Sequence, residues 1–145
     1  IYRAFHGAGA LRAVIGTISL KRVTSQFEAS SAFLNCPELR FVLLRRIADC
    51  ITELDLSGCS PLIAETMRFD DADAQMSAVT FNPVKYLFEN IDDPDSGFWR
   101  DPDAPLLIKF PAGVPARIMA TSDLMAAYRA AREAHPGLRV EGMIV

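Results

Sequence analysis

Histidine, cysteine and tryptophan are scarce in this 145-residue chain, which contains two, three and one of them. The cysteines are Cys36, Cys50 and Cys59, and an odd number without paired spacing argues against a disulfide framework. His6 and His135 lie far from the cysteines in sequence, whereas a zinc site needs cysteine and histidine at short spacing. We therefore expect reduced, buried thiols in a cytoplasmic protein that has no metal and no cofactor.

Long apolar runs and nucleotide-binding motifs are also missing. The longest apolar runs have four or five residues, as from Phe41 to Leu44, so the sequence predicts no membrane-spanning helix. Neither Gly-Lys-Ser nor Gly-Lys-Thr occurs, which excludes a P-loop. The first residue is Ile1, and no signal-peptide pattern follows it, which is compatible with a piece of a longer protein.

Charge is distributed unevenly along the chain. Residues 51–105 carry a net charge of −9, between residues 1–50 at +4 and residues 106–145 at +2. This acidic block repels phosphate backbones and no basic cluster offsets it, so nucleic acid is not an expected partner. A basic protein surface or a cation fits the block better, and a solvated acidic surface that keeps the protein dispersed is the alternative.

Apolar residues make up 50% of the chain, which predicts a substantial core or a surface for self-association. The length predicts one domain over residues 1–145. The clearest helical pattern runs from Pro37 to Leu56, with Asn35 as its cap, and predicts one long amphipathic helix. Further predicted elements are strands at Ala13–Leu20, Val23–Ala29, Leu62–Phe69 and Met76–Phe81, and a short helix at Val84–Asn90.

The last forty residues predict a strand-helix-strand unit. Its strands are Leu106–Phe110 and Leu138–Val145, and its helix runs from Asp123 to His135 after a cap at Thr121 or Ser122. A short strand is predicted at Ala116–Ala120. Together with the hairpins expected earlier, these elements predict a single α+β domain with a mixed, mostly antiparallel sheet. No internal repeat is expected.

A long acidic loop is predicted from Asp92 to Pro105, because proline and glycine interrupt both helix and strand patterns there. Its spacing resembles a calcium loop only crudely, since Pro94 stands where an oxygen ligand is required. The candidate contact site is an aromatic anchor with a polar rim, made of Phe98, Trp99, Arg100, Asp101 and Asp103. The alternative is that the two aromatic rings cover the core while Arg100 pairs with an aspartate.

Catalytic signatures are weak. The segment from Phe5 to Ala10 resembles the His-Gly-Gly-Gly oxyanion loop of α/β-hydrolase lipases over six residues, but the Gly-x-Ser-x-Gly nucleophile motif is missing. We therefore expect a non-catalytic binding, sensory or regulatory module, with a protein partner or self-association as the main possibility and a small molecule as another. The alternative is a small hydrolase or transferase in which His6, His135 or Cys59 meets carboxylates only in the fold.

Overall fold

The computed structural model describes residues 5–19, 33, 35–46, 52–69, 82–114, 116–119 and 121–143. Within them, the strands are β1 Ala13–Ser19, β2 Phe41–Arg46, β3 Glu53–Asp55, β4 Arg68–Phe69, β5 Leu106–Lys109 and β6 Leu138–Glu141. The helices are α1 Ile63–Thr66, α2 Pro83–Ile91, α3 Ala116–Met119 and α4 Ser122–Ala134.

The strands form two three-stranded sheets, in the orders β1-β2-β4 and β3-β5-β6. Every pair of neighbouring strands is parallel. The predicted combination of helices and strands is therefore confirmed, but the prediction of a mostly antiparallel sheet is wrong. Parallel neighbours cannot be joined by a tight hairpin turn, so each pair is linked by a longer crossover.

The long helix predicted from Pro37 to Leu56 is absent, because β2 and β3 occupy this segment and belong to different sheets. Val42 is buried while Phe41 and Leu43 are half-buried, which is the alternation of a strand. Short apolar runs satisfy helical and strand spacing equally well, so periodicity alone could not separate them.

Two shorter segments were predicted as strands but contain helical turns. Where a strand was expected at Leu62–Phe69, the chain forms the single turn α1 before the two-residue β4, and Thr66 Oγ1 donates to Leu62 O at 3.0 Å. The strand expected at Ala116–Ala120 is the short helix α3. The strands predicted at Val23–Ala29 and Met76–Phe81 lie outside the described residues.

The strand-helix-strand unit at the C-terminal end is confirmed. β5 and β6 pair in parallel, and α3 and α4 connect them. Thr121 begins α4, its side chain accepting a hydrogen bond from Leu124 N at 3.3 Å. Asn82 begins α2 in the same way, since its Oδ1 accepts from the backbone N–H groups of Val84 and Lys85.

The described residues also contain a turn and the beginning of a strand that recur after 28 residues, a repeat that was not predicted from the sequence. Ala13 pairs with Phe41 and Val14 with Val42, so β1 and β2 begin at this offset, and the register then shifts before Ile18 pairs with Leu44. The preceding turns correspond at the same offset. Leu11 N donates to Ala8 O and Leu39 N to Cys36 O, and positive φ angles occur at Gly7 (74°) and Asn35 (59°). Identical residues at this offset include Phe5 and Phe33, Leu11 and Leu39, Arg12 and Arg40, and Val14 and Val42.

These turns stack on one another as successive coils. The rings of Phe5 and Phe33 lie parallel, with centroids 5.9 Å and planes 3° apart. Cys36 Sγ donates to Phe5 O at 2.7 Å, and Cys59 Sγ donates to Phe33 O at 3.5 Å. We call this pair of contacts the thiol ladder. Each thiol thus donates to a backbone carbonyl of the preceding coil, and Phe5 O also accepts from Ala8 N at 3.1 Å.

The inward side chains of both sheets join those of α2 and α4 in one buried cluster. Leu54, Ile108 and Leu138 are at most 3% exposed and come from the three strands of the second sheet. Helices α2 and α4 pack together, with Phe88 and Tyr128 ring centroids 5.3 Å apart. Because one side of the second sheet supplies the core, its other side is left to face outward.

Candidate functional site

The three candidate catalytic residues, His6, His135 and Cys59, differ in their exposure and in their hydrogen-bond partners. His6 is exposed, and Asn35 Nδ2 lies 3.3 Å from its Nε2. Cys59 is 6% exposed and forms part of the thiol ladder. Burial raises the pKa of the Cys59 thiol to about 12, with smaller contributions from Cys36 and Asp55. A thiol held protonated in this way is a packing and hydrogen-bonding group rather than a nucleophile.

His135 is 1% exposed and holds two segments together. Its Nδ1 lies 2.7 Å from Pro102 O, and since a carbonyl can only accept, Nδ1 carries the proton. Its backbone N–H also donates to Ala131 O at the end of α4. Burial raises the pKa of the nearby Asp92 carboxyl above its ordinary value, and His135 opposes that shift. These contacts place His135 as a clamp between the acidic loop (residues 92–105) and α4.

The acidic loop divides the predicted contact residues into two groups. Phe98 is buried, with its ring edge-on to Tyr86 at 6.2 Å, and Arg100 is 1% exposed and donates from Nη2 to Pro105 O at 3.1 Å. Trp99, in contrast, is 39% exposed. Asp101 and Asp103 are also exposed, and Asp101 Oδ1 accepts from Asp103 N at 3.1 Å. The two buried side chains fix the loop, and the three exposed ones remain available for contact.

A second surface, which the sequence did not suggest, is the outward side of the second sheet. We call it the charged face, and its residues are Glu53 and Asp55 on β3, Leu107 and Lys109 on β5, and Arg139 and Glu141 on β6. The strand register arranges them in two rows across the sheet, Glu53-Leu107-Arg139 and Asp55-Lys109-Glu141. Three separate segments of the chain thus place five charged side chains side by side, of which Asp55 is buried while Arg139 and Glu141 are exposed.

Lys109 is the centre of the electrostatic arrangement on this face. Its Nζ lies 2.9 Å from Glu53 Oε1, and both side chains are about one third exposed. The hydrogen bond to Glu53 raises the pKa of Lys109 above its ordinary value, and the charges of Asp55 and Glu141 add to that increase. Asp55 itself accepts hydrogen bonds from Ser57 N at 3.0 Å and Ser57 Oγ at 2.5 Å. Lys109, Glu53 and Asp55 are therefore occupied by neighbours.

A cavity of about 270 Å³ opens at the amino ends of the same strands. We call it the amino-end cavity, and it is lined by Thr52, Glu53, Pro105, Leu106, Leu107, Gly137 and Arg139. The acidic loop ends at Pro105, so the loop and the charged face meet at this opening. Arg139 is exposed, and its guanidinium has no ion-pair or hydrogen-bond partner among the described residues.

Comparison with family models, with curated proteins and with solved structures finds no match to this chain. Within the described part of the chain, none of the helices combines the length and apolar composition needed to cross a bilayer. The described residues also include no group of three or more histidine, cysteine, aspartate or glutamate side chains arranged to hold a metal ion.

The charged face could have been anticipated only through the strand register. Glu53, Leu107 and Arg139 form one row but are 54 and 32 residues apart along the chain. The available signal was the alternation Leu106, Ile108, Phe110 against Leu107 and Lys109, which marks one buried and one outward side. A similar alternation at Leu138–Glu141 gives the neighbouring strand, but the pairing of the two follows only from the fold.

Proposed function

We propose that this chain is a non-catalytic protein-binding module in which the second sheet presents the charged face to a partner protein. The observation that supports this proposal best is the register of the second sheet, which aligns five charged side chains and Leu107 in two rows. A solenoid of stacked repeats offers extended sheet surfaces on which partners dock. Mixed charge around an apolar residue is suited to a specific, moderately polar protein interface.

The coil that contains β3 supports this proposal through its spacing. Ile51, Leu54, Leu56 and Cys59 follow the pattern Leu-x-x-Leu-x-Leu-x-x-Cys, which is similar to that of leucine-rich repeats. In that architecture each repeat contributes a parallel strand to one surface. Leu54 and Leu56 are buried here, and the Cys59 thiol donates to the previous coil, as a position inside a stacked repeat requires.

The acidic loop adds a second area of contact in this proposal. Trp99, Asp101 and Asp103 are the exposed members of the predicted contact site, and the loop leads into the amino end of β5. An exposed tryptophan beside carboxylates is suited to a basic side chain on the partner, which it can bind by a cation–π contact. The loop and the charged face would then touch neighbouring parts of one partner. The enzyme alternative gains no comparable support from the described residues.

The experiment compares capture of a partner by the wild type with capture by two charge reversals. Glu141→Lys changes an exposed residue of the charged face, and Glu133→Lys makes the same change on the exposed side of α4. The protein is immobilised, incubated with a lysate of its own source cells, and retained proteins are identified and then rebound in purified form. We expect a partner whose affinity falls at least tenfold with Glu141→Lys and stays unchanged with Glu133→Lys. Equal binding by both variants would contradict the proposal.

A further inference from the structure

We propose that the amino-end cavity is an anchor site for a carboxylate side chain, glutamate or aspartate, of the protein that docks on the charged face. This inference depends on the proposed function, because it specifies the chemistry of that partner at one point of the interface. The cavity spans the first residues of all three strands of the second sheet, and a side chain inserted there would touch each of them.

The size of the cavity favours a side chain over a cofactor or a large metabolite. Sites for small-molecule ligands usually enclose roughly 300–1,000 Å³, and this cavity has about 270 Å³. Pro105 and Leu107 provide an apolar surface on which the aliphatic part of a glutamate can pack. Arginine is one of the residue types that dominate interface hot spots, so Arg139 at this opening is suited to hold a partner side chain.

The charges at the cavity favour an anion. Two of its lining residues are charged, Glu53 and Arg139. The carboxylate of Glu53 is engaged by Lys109 at 2.9 Å, while the guanidinium of Arg139 has no partner among the residues that the structure describes. The positive charge is therefore the one left to be neutralised. Guanidinium and carboxylate groups form paired, charge-assisted hydrogen bonds, which fix both the position and the orientation of the incoming group.

The neighbouring acidic residues set the selectivity of this anchor. Glu141 stands two residues beyond Arg139 on the same side of β6 and is exposed. A densely anionic ligand would be repelled by Glu141 and by the exposed Asp101 and Asp103, whereas a single carboxylate can pair with Arg139 while Lys109 neutralises the neighbouring Glu53. The favoured occupant is therefore one acidic side chain within a partner whose other contacts are neutral or basic.

The test uses defined peptides and nuclear magnetic resonance of the ¹⁵N-labelled protein. The probes are acetyl-Gly-Glu-Gly-amide, the matched acetyl-Gly-Lys-Gly-amide, and free succinate. We expect the glutamate peptide to shift the amide signals of Leu107, Gly137 and Arg139 in a saturable way with millimolar affinity, and the lysine peptide to leave them unchanged. Arg139→Gln is expected to weaken the glutamate peptide at least tenfold, and the matched Arg129→Gln on α4 to have no effect.

Three results would overturn the anchor: no shift at these amides, equal shifts with the lysine peptide, or unchanged binding in Arg139→Gln. Tighter binding of succinate than of the glutamate peptide would also overturn it, because it would assign the cavity to a small metabolite. Amide spectra of both variants establish that each is folded. A partner that depends on Glu141 but not on Arg139 would leave the proposed function standing and refute the anchor alone.

Discussion

The close contact between the turn at Gly58 and the turn at Asn35 predicts that adding one methyl group at Gly58 will destabilise the protein. A Cβ atom at this position would lie 2.5 Å from Asn35 N and 3.1 Å from Asn35 Cα. Both are backbone atoms, which cannot rotate away as the end of a side chain can. Gly58→Ala must therefore push the stacked turns apart, and overpacking of this kind costs about 1–3 kcal/mol. For a chain of this length that corresponds to a fall in Tm of roughly 3–10 °C.

Gly9→Ala is the matched control for this prediction, because a Cβ atom at Gly9 meets no atom within 4 Å. The same substitution there removes freedom from the unfolded chain, and its effect is expected between zero and a gain of about 1 kcal/mol. Urea unfolding of the wild type and both variants, followed by the fluorescence of Trp99, gives the three free energies. Equal midpoints for Gly58→Ala and the wild type would refute the stacking of the turn at Gly58 on Asn35.

Three further outcomes are expected. The unfolded Cys59 thiol ionises near its ordinary pKa of 9.0 and the folded one near 12, so the stability it contributes is present below pH 9 and is lost between pH 9 and 12. Urea unfolding across this range is expected to show a steeper loss for the wild type than for Cys59→Ala, and equal slopes would contradict the assignment. Trp99 is expected to show red-shifted emission that acrylamide quenches, and a blue, protected spectrum would remove it from the contact surface. His135→Ala leaves Pro102 O without its donor and is expected to destabilise the protein by about 1–3 kcal/mol, measured by urea unfolding.

The sequence correctly predicted the helices whose ends are marked by capping or helix-terminating residues. The caps Asn82 and Thr121 and the terminator Pro136-Gly137 mark α2 and α4, and both helices occur where they were predicted. The helix predicted from Pro37 to Leu56 was wrong because this segment has no local signal that separates a helix from strands. Its apolar residues suit a helix and two strands alike, and the choice was made by packing against β1 and β5, which are distant in sequence.

The repeat stayed hidden because its period is not constant. The thiols of the ladder are 23 residues apart, whereas the turns that begin at Phe5 and Phe33 are separated by 28. The stacked contacts involve few positions, namely the Phe5 and Phe33 rings, the close approach of Gly58 to Asn35, and the Cys36 and Cys59 thiols. Sequences that keep three such positions and vary the rest show little identity while retaining the same geometry.

Residues that are neighbours in one row of the parallel sheet are far apart in sequence, which explains why no single segment of the chain reveals the candidate interface. In a hairpin, residues that share a face come from adjacent stretches, and a charge pattern can be recognised directly. In the second sheet the residues of one row are 54 and 32 positions apart, from Glu53 to Leu107 and then to Arg139. Each of these residues alone is an ordinary exposed or half-buried side chain. Their value for recognition comes from the register, since the register places a paired carboxylate, an apolar side chain and a guanidinium that is unpaired among the described residues in one line at the mouth of a cavity.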